Sequence, residues 1–424
     1  MRILVVGGGG REHALCWALS RAAAVFCAPG NPGTATVGTN LPVPADDPSA
    51  LIEACRANRI DLVVVGPEAP LAAGLVDRLT AQGIAAFGPT AAAARIEASK
   101  AFAKSLMAQA GVPTARTRTF TDAHEAQRYI RTHAEPLVVK ASGLAAGKGA
   151  VVCQTRDEAS RVAVAMLSGK LGAAGLEVLV EEFLDGEELS VFAMTDGERW
   201  MVLPPSQDHK RLGEGDTGPN TGGMGAYTPV SFVTDELMER VEQRVIGPTL
   251  VAMAAAGSPY RGLLYAGLMV SPTGDPYVLE FNCRFGDPET QVVLPALDED
   301  LSTHCWTIAS REAWRPPRRL RHARAAVTTV LAARGYPEAP EKGAAISLPN
   351  ELPSNTLLFH AGTARDPDGT LRVAGGRVLC ATGLGPDVRT AAERSRCLAD
   401  AITFSGRTLR RDIGWREAAR AGTA

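Results

Sequence analysis

Unbroken apolar blocks set the rhythm of the first ninety residues. Ile3–Val6 and Leu62–Val65 are solid runs of the kind that strands buried on both faces carry. Helical patterns follow them at 11–22 and 71–80, and Ile84–Phe87 reads as a further strand. Strands alternating with helices predict a parallel α/β sheet, with ligands at the strand carboxyl ends. Further along, residues 91–135 predict helices on either side of the Gly111-Val112-Pro113 break, because glycine with proline close behind stops a helix. Residues 136–183 predict strand, glycine loop, strand, helix, strand, and 185–230 a strand followed by a long polar loop.

After a predicted helix at 234–256, Leu264–Val270 and Tyr277–Asn282 form a hairpin through Pro272-Thr273-Gly274-Asp275. In the second strand the pattern changes to strict alternation. Tyr277, Leu279 and Phe281 share one face, and Val278, Glu280 and Asn282 the other. Helical patterns occupy 289–310. The Pro- and Arg-rich stretch 314–324 marks a boundary. Beyond it, β-type runs at 326–332, 357–361 and 378–381 precede a helix at 390–403, which predicts a small antiparallel domain.

At 424 residues the chain is too long for one ordinary core. Its net charge of −2, without a basic stripe, argues against a nucleic-acid partner. No uncharged apolar run approaches the roughly 20 residues of a membrane span. The first apolar run is too short for a signal peptide. Eight scattered cysteines, with neither a Cys-x-x-Cys pair nor zinc spacing, fit a reduced cytoplasm.

Glu280 and Asn282 put a carboxylate and an amide oxygen on one strand face, a hard-oxygen pair suited to Mg²⁺ or Mn²⁺. Arg284, Asp287 and Glu289 follow at once. Gly7-Gly8-Gly9-Gly10 lies between the first strand and first helix, where backbone N–H groups can meet an anion. The dinucleotide spacing fails at Glu12 and His13, so a phosphate without a dinucleotide is the better fit. Asn31-Pro32-Gly33 and Gly66-Pro67-Glu68 end neighbouring segments and are expected to line the same crevice.

Lys140 closes the apolar run 137–139, and Gly143, Gly147, Lys148 and Gly149 follow. The spacing is not that of a P-loop, and a strand comes next, so this reads as a hairpin flap over nucleotide phosphates. Lys140 would act on phosphate oxygens as a point charge. Glu181-Glu182-Phe183-Leu184 ends another strand and Glu188 lies just beyond, a place to hold adenine and ribose. Asp208-His209-Lys210-Arg211 opens a glycine-rich loop that can close on anions.

Taken together, these segments resemble the ATP-grasp superfamily. The shared order is an early helix lysine (Lys100 or Lys104), Lys140, the flap, an acidic hinge strand and Glu280-x-Asn282. Within it the chain closely resembles the phosphoribosylamine–glycine ligase family. The family signature Arg-Phe-Gly-Asp-Pro-Glu-x-Gln stands intact at 284–291. Family-like stretches also occur at 8–14, 66–68, 140–149, 208–211 and 220–227, so the likeness spans nearly the whole chain.

The resemblance implies an α/β and α+β multidomain fold. It comprises an N-terminal parallel α/β substrate-binding domain over 1–104 and a central ATP-grasp domain over 105–311, with a nucleotide-covering part at about 120–190. A small, mainly antiparallel β domain follows over 325–424. The implied reaction joins glycine to 5-phosphoribosylamine with ATP and Mg²⁺ or Mn²⁺, in a cytoplasmic monomer. Arg284, Asp287, Lys210 and Arg211 are then expected to carry the chemistry. ATP falls to Lys100, Lys140, Gly143, Gly147, Lys148, Gly149, Glu181, Glu182, Phe183, Leu184 and Glu188. The substrates fall to Gly8, Gly9, Gly10, Arg11, Asn31, Gly33, Gly66, Pro67, Glu68, Asp208 and Glu289, and the metal to Glu280 and Asn282. One departure stands out. Many superfamily members carry another acidic ligand on the preceding strand, whereas 263–270 has no acid, which leaves the number of metals open.

Three rivals compete with this reading. Another ATP-grasp ligase, such as a formate-using transformylase or a biotin carboxylase, lacks the 284–291 signature. A nicotinamide dehydrogenase is opposed by the failed glycine spacing. A non-catalytic nucleotide-binding module is opposed by intact Lys140, Glu280 and Asn282.

Overall fold

The computed structural model describes residues 1–145, 149–170 and 172–421. The solid apolar runs become the centre of a five-stranded parallel sheet. Its order is Thr39–Asn40, Ala24–Pro29, Arg2–Gly7, Leu62–Val65, Ala85–Phe87. Ile3, Leu4, Val5 and Val6 are fully buried, as strands covered on both faces require. The chain winds outward from Arg2–Gly7 in one direction, then returns to its other side with Leu62–Val65. The carboxyl ends of those two strands therefore flank the switch point, and Gly7–Gly10 and Gly66–Glu68 leave from it.

The expected architecture is borne out in the centre and at the end of the chain. A four-stranded antiparallel sheet runs Trp200–Val202, Glu187–Thr195, Gly262–Val270, Pro276–Asn282. A second four-stranded sheet, Thr117–Phe120, Val178–Glu182, Leu137–Ala141, Ala150–Cys153, carries its own apolar core from Phe120 to Val180. That core is distinct from the cores beneath the other sheets. By contrast, one continuous core joins the parallel sheet, through Leu4 and Val63, to the central sheet, through Val191 and Leu264.

Several local expectations change. The segment predicted as a long polar loop after residue 195 contains five short strands, of which Trp200–Val202 edges the central sheet. Gln207–Asp208 and Gly225–Thr228 join the C-terminal sheet, in the order Gln207–Asp208, Gly225–Thr228, Ala325–Ala332, Arg377–Gly385, Thr356–His360. Arg211–Gly213 and Thr217–Asn220 make a separate ribbon. The C-terminal sheet is thus built from two distant parts of the chain. Strand Thr117–Phe120 was not anticipated either. The helical pattern 289–310 is two helices, Thr290–Ala296 and Leu301–Ser310. Among the described residues no helix is long and apolar enough to cross a membrane. The eight cysteines are unpaired, and all but Cys397 are buried.

Candidate active site

One cleft runs between the central sheet, the small sheet and the N-terminal crevice. Strand Pro276–Asn282 supplies its floor, and Glu280 and Asn282 both line it. Glu280 pairs across the sheet with Gly267, so the neighbouring strand offers hydrogen where an acid would otherwise face it. Burial pushes the Glu280 carboxyl up, but Lys210, Lys100, Lys140 and Arg284 outweigh it and hold the group below its ordinary range. Glu280 is therefore an ionised oxygen donor, with the Asn282 amide beside it, and the pair fits a hard divalent cation. Among the described residues no cluster of three or more His, Cys, Asp or Glu side chains could hold a metal by itself.

Lysines face this floor from the small sheet and the helix Lys100–Ala110. Lys140 Nζ donates to Leu279 O at 2.9 Å and pairs with Glu181 Oε2 at 2.9 Å. Lys104 Nζ lies 3.1 Å from Glu181 Oε1 and donates to Thr114 Oγ1. Register explains the meeting of Lys140 and Glu181: Val138 is opposite Glu181 and Lys140 opposite Leu179, which places them diagonally on one face. Burial, partly opposed by Glu181, lowers Lys104 to about 8. Lys100 Nζ donates to Gly143 O at 3.3 Å, and burial lowers its pKa as well. Glu182 is tied to Arg116 at the rim, while Phe183 is 41% exposed beside it.

The signature turn carries the chain from the floor to the N-terminal crevice. Arg284 pairs with Glu97 at 3.1 Å and Glu68 at 3.2 Å. Burial disfavours its charge, but the two carboxylates prevail and its pKa is raised. Glu289 is buried, and its Oε1 accepts from Tyr265 Oη at 2.6 Å and Ser190 Oγ at 3.4 Å. Asp287 Oδ1 accepts from Gln291 Nε2 at 2.7 Å. On the far wall, Lys210 pairs with Glu188.

Asp208 is buried beside that pair. Burial, with Glu289 and Glu188, pushes its carboxyl up to about 7 against the pull of Lys210. An ordinary aspartate in the unfolded chain ionises near 4, so between about pH 4 and 7 the folded state binds the extra proton. Its stabilising effect is complete below that window and is lost as pH rises through it, by up to ~1.4 kcal/mol per pH unit. Asp208→Asn is expected to flatten the fall in melting temperature of the free protein between pH 5 and 7. Parallel wild-type and variant curves across that range would show that Asp208 is ionised throughout.

The cleft gathers Arg11, Glu68, Lys100, Lys140, Gly149, Glu181, Glu182, Phe183, Leu184 and Glu188 from the sequence expectations. It also gathers Asp208, Lys210, Glu280, Asn282, Arg284, Asp287 and Glu289. Gly143 lies next to it, holding Lys100. Gly147 and Lys148 lie outside the described residues.

The crevice residues Gly8, Gly9, Gly10, Asn31, Gly33, Gly66 and Pro67 are not among the residues that line the cleft. Gly9 N donates to Glu12 Oε2 at 2.6 Å, so this N–H of the turn is engaged by the carboxylate of its own helix. Gly66 packs on the same Glu12, where a Cβ would stand 2.2 Å from Oε1. Asn31 has its amide engaged internally: Nδ2 donates to Gly8 O and His360 O, and Oδ1 accepts from Gly33 N and Thr34 N. It brackets the crevice to the C-terminal sheet. Arg211 points back into its own ribbon, donating to Gly218 O at 2.8 Å, while the buried Arg410 donates to Arg211 O.

Sequence reasoning missed Glu97, Glu12 and Arg377, and passed over Lys104 for Lys100. Lys104 had a signal, since four residues from Lys100 it shares a helix face. Glu97 and Arg377 had none, because each meets the site only through tertiary contact.

Comparison with known proteins agrees with this geometry. The phosphoribosylglycinamide synthetase N-domain family matches residues 1–97, its ATP-grasp (A) domain 98–290 and its C domain 326–416. The phosphoribosylamine–glycine ligase of Pasteurella multocida is 48% identical over 427 residues, covering 99% of both chains. A crystal structure of the Thermotoga maritima phosphoribosylamine–glycine ligase superposes with a TM-score of 0.86 at 38% identity, over 97% of this chain and 100% of that one. The biotin carboxylase domain of Hydrogenobacter thermophilus 2-oxoglutarate carboxylase, solved with MgADP and bicarbonate, has a TM-score of 0.72. At 18% identity, over 96% of this chain and 91% of that one, it shares the fold alone. With its three domains matched in order and nearly half its residues identical to a full-length relative, the chain belongs to the phosphoribosylglycinamide synthetase, or phosphoribosylamine–glycine ligase, family.

Proposed function

We propose that this cleft joins glycine to 5-phosphoribosylamine at the expense of ATP, through a glycyl phosphate intermediate. Family membership carries the ATP-dependent ligase activity of purine synthesis. The observation that supports the residue roles is the convergence of Glu280, Asn282, Lys100, Lys140 and the 284–291 turn on one cleft.

ATP lies between the small sheet and the strand Pro276–Asn282. Phe183 and Leu184 border the base, and Lys100 and Lys140 face the phosphates. Glu280 and Asn282 would hold a divalent cation, which would neutralise charge on the phosphate oxygens. The glycine carboxylate, drawn by Arg284, attacks the γ-phosphorus. The bond from phosphorus to the β-phosphate oxygen breaks, and ADP leaves. Such transfer is mainly positioning and electrostatics, which is what buried, mutually paired lysines and carboxylates supply. The amine nitrogen of phosphoribosylamine then bonds to the acyl carbon, and the carbon–oxygen bond to phosphate breaks. Asp287 takes the proton that nitrogen gives up. Glycyl phosphate reacts with water, so the cleft must shield it until the amine arrives. Seven buried, unpaired cysteines favour a reducing compartment, and we place the enzyme in the cytoplasm.

The test is ADP release from ATP and Mg²⁺, with glycine and phosphoribosylamine supplied separately and together, the latter formed in place from ribose 5-phosphate and ammonia. ADP and glycinamide ribonucleotide are expected only with both. ADP with bicarbonate or formate instead, or no ADP under any combination, would overturn the assignment.

A further inference from the structure

Arg377 begins a strand of the C-terminal sheet, about ninety residues beyond the signature turn, yet it lines the cleft. Its Nη2 lies 2.9 Å from Asp287 Oδ2, and its Nη1 donates to Asp287 O at 2.7 Å and to Gly222 O. Both side chains are largely buried, 21% and 17% exposed. The guanidinium therefore grips one residue by carboxylate and backbone at once, which fixes the direction of the Asp287 side chain. Gln291 Nε2 holds the other carboxylate oxygen.

Asp287 stands at the border between cleft and crevice. A side-chain carbon at Gly9 would lie 3.9 Å from Asp287 Oδ2, so no bulky group separates the carboxylate from the N-terminal turn. The same C-terminal unit also holds the loop opposite. Gly222 N donates to Tyr336 Oη at 3.0 Å while Gly222 O accepts from Arg377. Gly223 sits against Pro288, where a Cβ would meet its Cδ at 2.4 Å. Arg377 thus ties together the turn after the metal strand, the 220–224 loop and the C-terminal sheet.

We propose that Arg377 is a positioning residue for amine capture: it aims the Asp287 carboxylate at the nitrogen of phosphoribosylamine. The C-terminal domain then serves the second half of the reaction, not the use of ATP. This rests on the ligase reading above, within which Asp287 accepts the proton as nitrogen bonds to the acyl carbon and phosphate departs.

The experiment is a double-mutant cycle with Arg377→Met and Asp287→Asn, measured as glycinamide ribonucleotide formation while each substrate is varied. Wild-type enzyme must first make that product; if it does not, the ligase reading falls, whatever Arg377 does. With wild-type turnover in hand, Arg377→Met is expected to lower kcat/KM for phosphoribosylamine by about 10², the size of one lost pre-organised contact. KM for ATP should stay within about twofold. The double variant should be no slower than Asp287→Asn alone, because a residue acting through Asp287 has nothing left to act on. Arg377→Lys, which keeps the charge but loses the fork, is expected to recover part of the loss. Should Arg377→Met fail to fold, Arg377→Lys takes its place in the cycle with the same expectation of non-additivity. Additive losses, or a rise in KM for ATP equal to that for phosphoribosylamine, would overturn the proposal.

Discussion

Glu280→Ala is expected to slow turnover by about 10² or more at saturating ATP and Mg²⁺, the effect of deleting one pre-organised electrostatic contact. The reason is the company Glu280 keeps. Its carboxylate stays ionised because Lys210, Lys100, Lys140 and Arg284 surround it. Removing it deletes a cation ligand and leaves those positive groups facing one another without their counter-charge. Glu280→Gln separates the two effects, since it keeps volume and one oxygen but not the charge. The measurement is kcat against Mg²⁺ and Mn²⁺ concentration. Both variants should need more metal for half-maximal rate, with alanine the worse. Near-normal turnover of Glu280→Ala with an unchanged Mg²⁺ midpoint would remove Glu280 from the metal site.

Arg284→Met is expected to damage stability and rate together. Arg284 is the bracket between the metal strand and the N-terminal sheet domain, because both its carboxylate partners come from before residue 100. Glu97 is buried, and its other oxygen accepts from Cys283 N at 2.7 Å. Breaking a buried pair from one side costs about 3–5 kcal/mol; Glu68 is 30% exposed and can turn to water, so the lower end applies. Glu97→Gln in the same chain should return much of the lost stability by removing the stranded charge. It should not return activity if Arg284 acts on glycine. Thermal unfolding and kcat on the single and double variants decide it. Recovery of both together would make Arg284 a structural bracket only.

The legible parts of this protein were those whose signal is local. Ile3–Val6 and Leu62–Val65 announced buried strands because four apolar residues in a row have no solvent face. Glu280 and Asn282 announced a shared cleft face because strand alternation alone puts them on one side. The glycine turn was legible as a strand-to-helix junction, but its internal hydrogen bond was not. Nothing in the run of glycines says that Glu12, three residues on, turns back to accept from Gly9. The strands at 207–228 were hidden for a related reason. They are two to four residues long, too short for alternation to register, and the strand that ties Gly225–Thr228 into the sheet starts about a hundred residues later.

Asn31 and Arg211 show how a polar residue in a promising place can be engaged elsewhere. Each was singled out by type and neighbourhood; Asn31 has its whole amide engaged internally, and Arg211 gives one donor to Gly218 O in its own ribbon. Lys140 went the other way. Its place at the end of an apolar run pointed to the cleft, and the sheet register that sets it beside Glu181 puts it there.

By itself the sequence determined most of the strands and helices, the parallel sheet at the start, the strand that carries Glu280 and Asn282, and the chemical type of nearly every group in the cleft. It could do so because periodicity and residue chemistry are properties of a few neighbouring positions. The tertiary structure alone decided which charges meet. Glu97 reaches Arg284 and Arg377 reaches Asp287 across long stretches of chain. The central region completes the C-terminal sheet, and Asp208 ends up in a buried cluster that raises its pKa. Those outcomes depend on long-range pairing and on burial, and both exist only once separate elements have packed against one another.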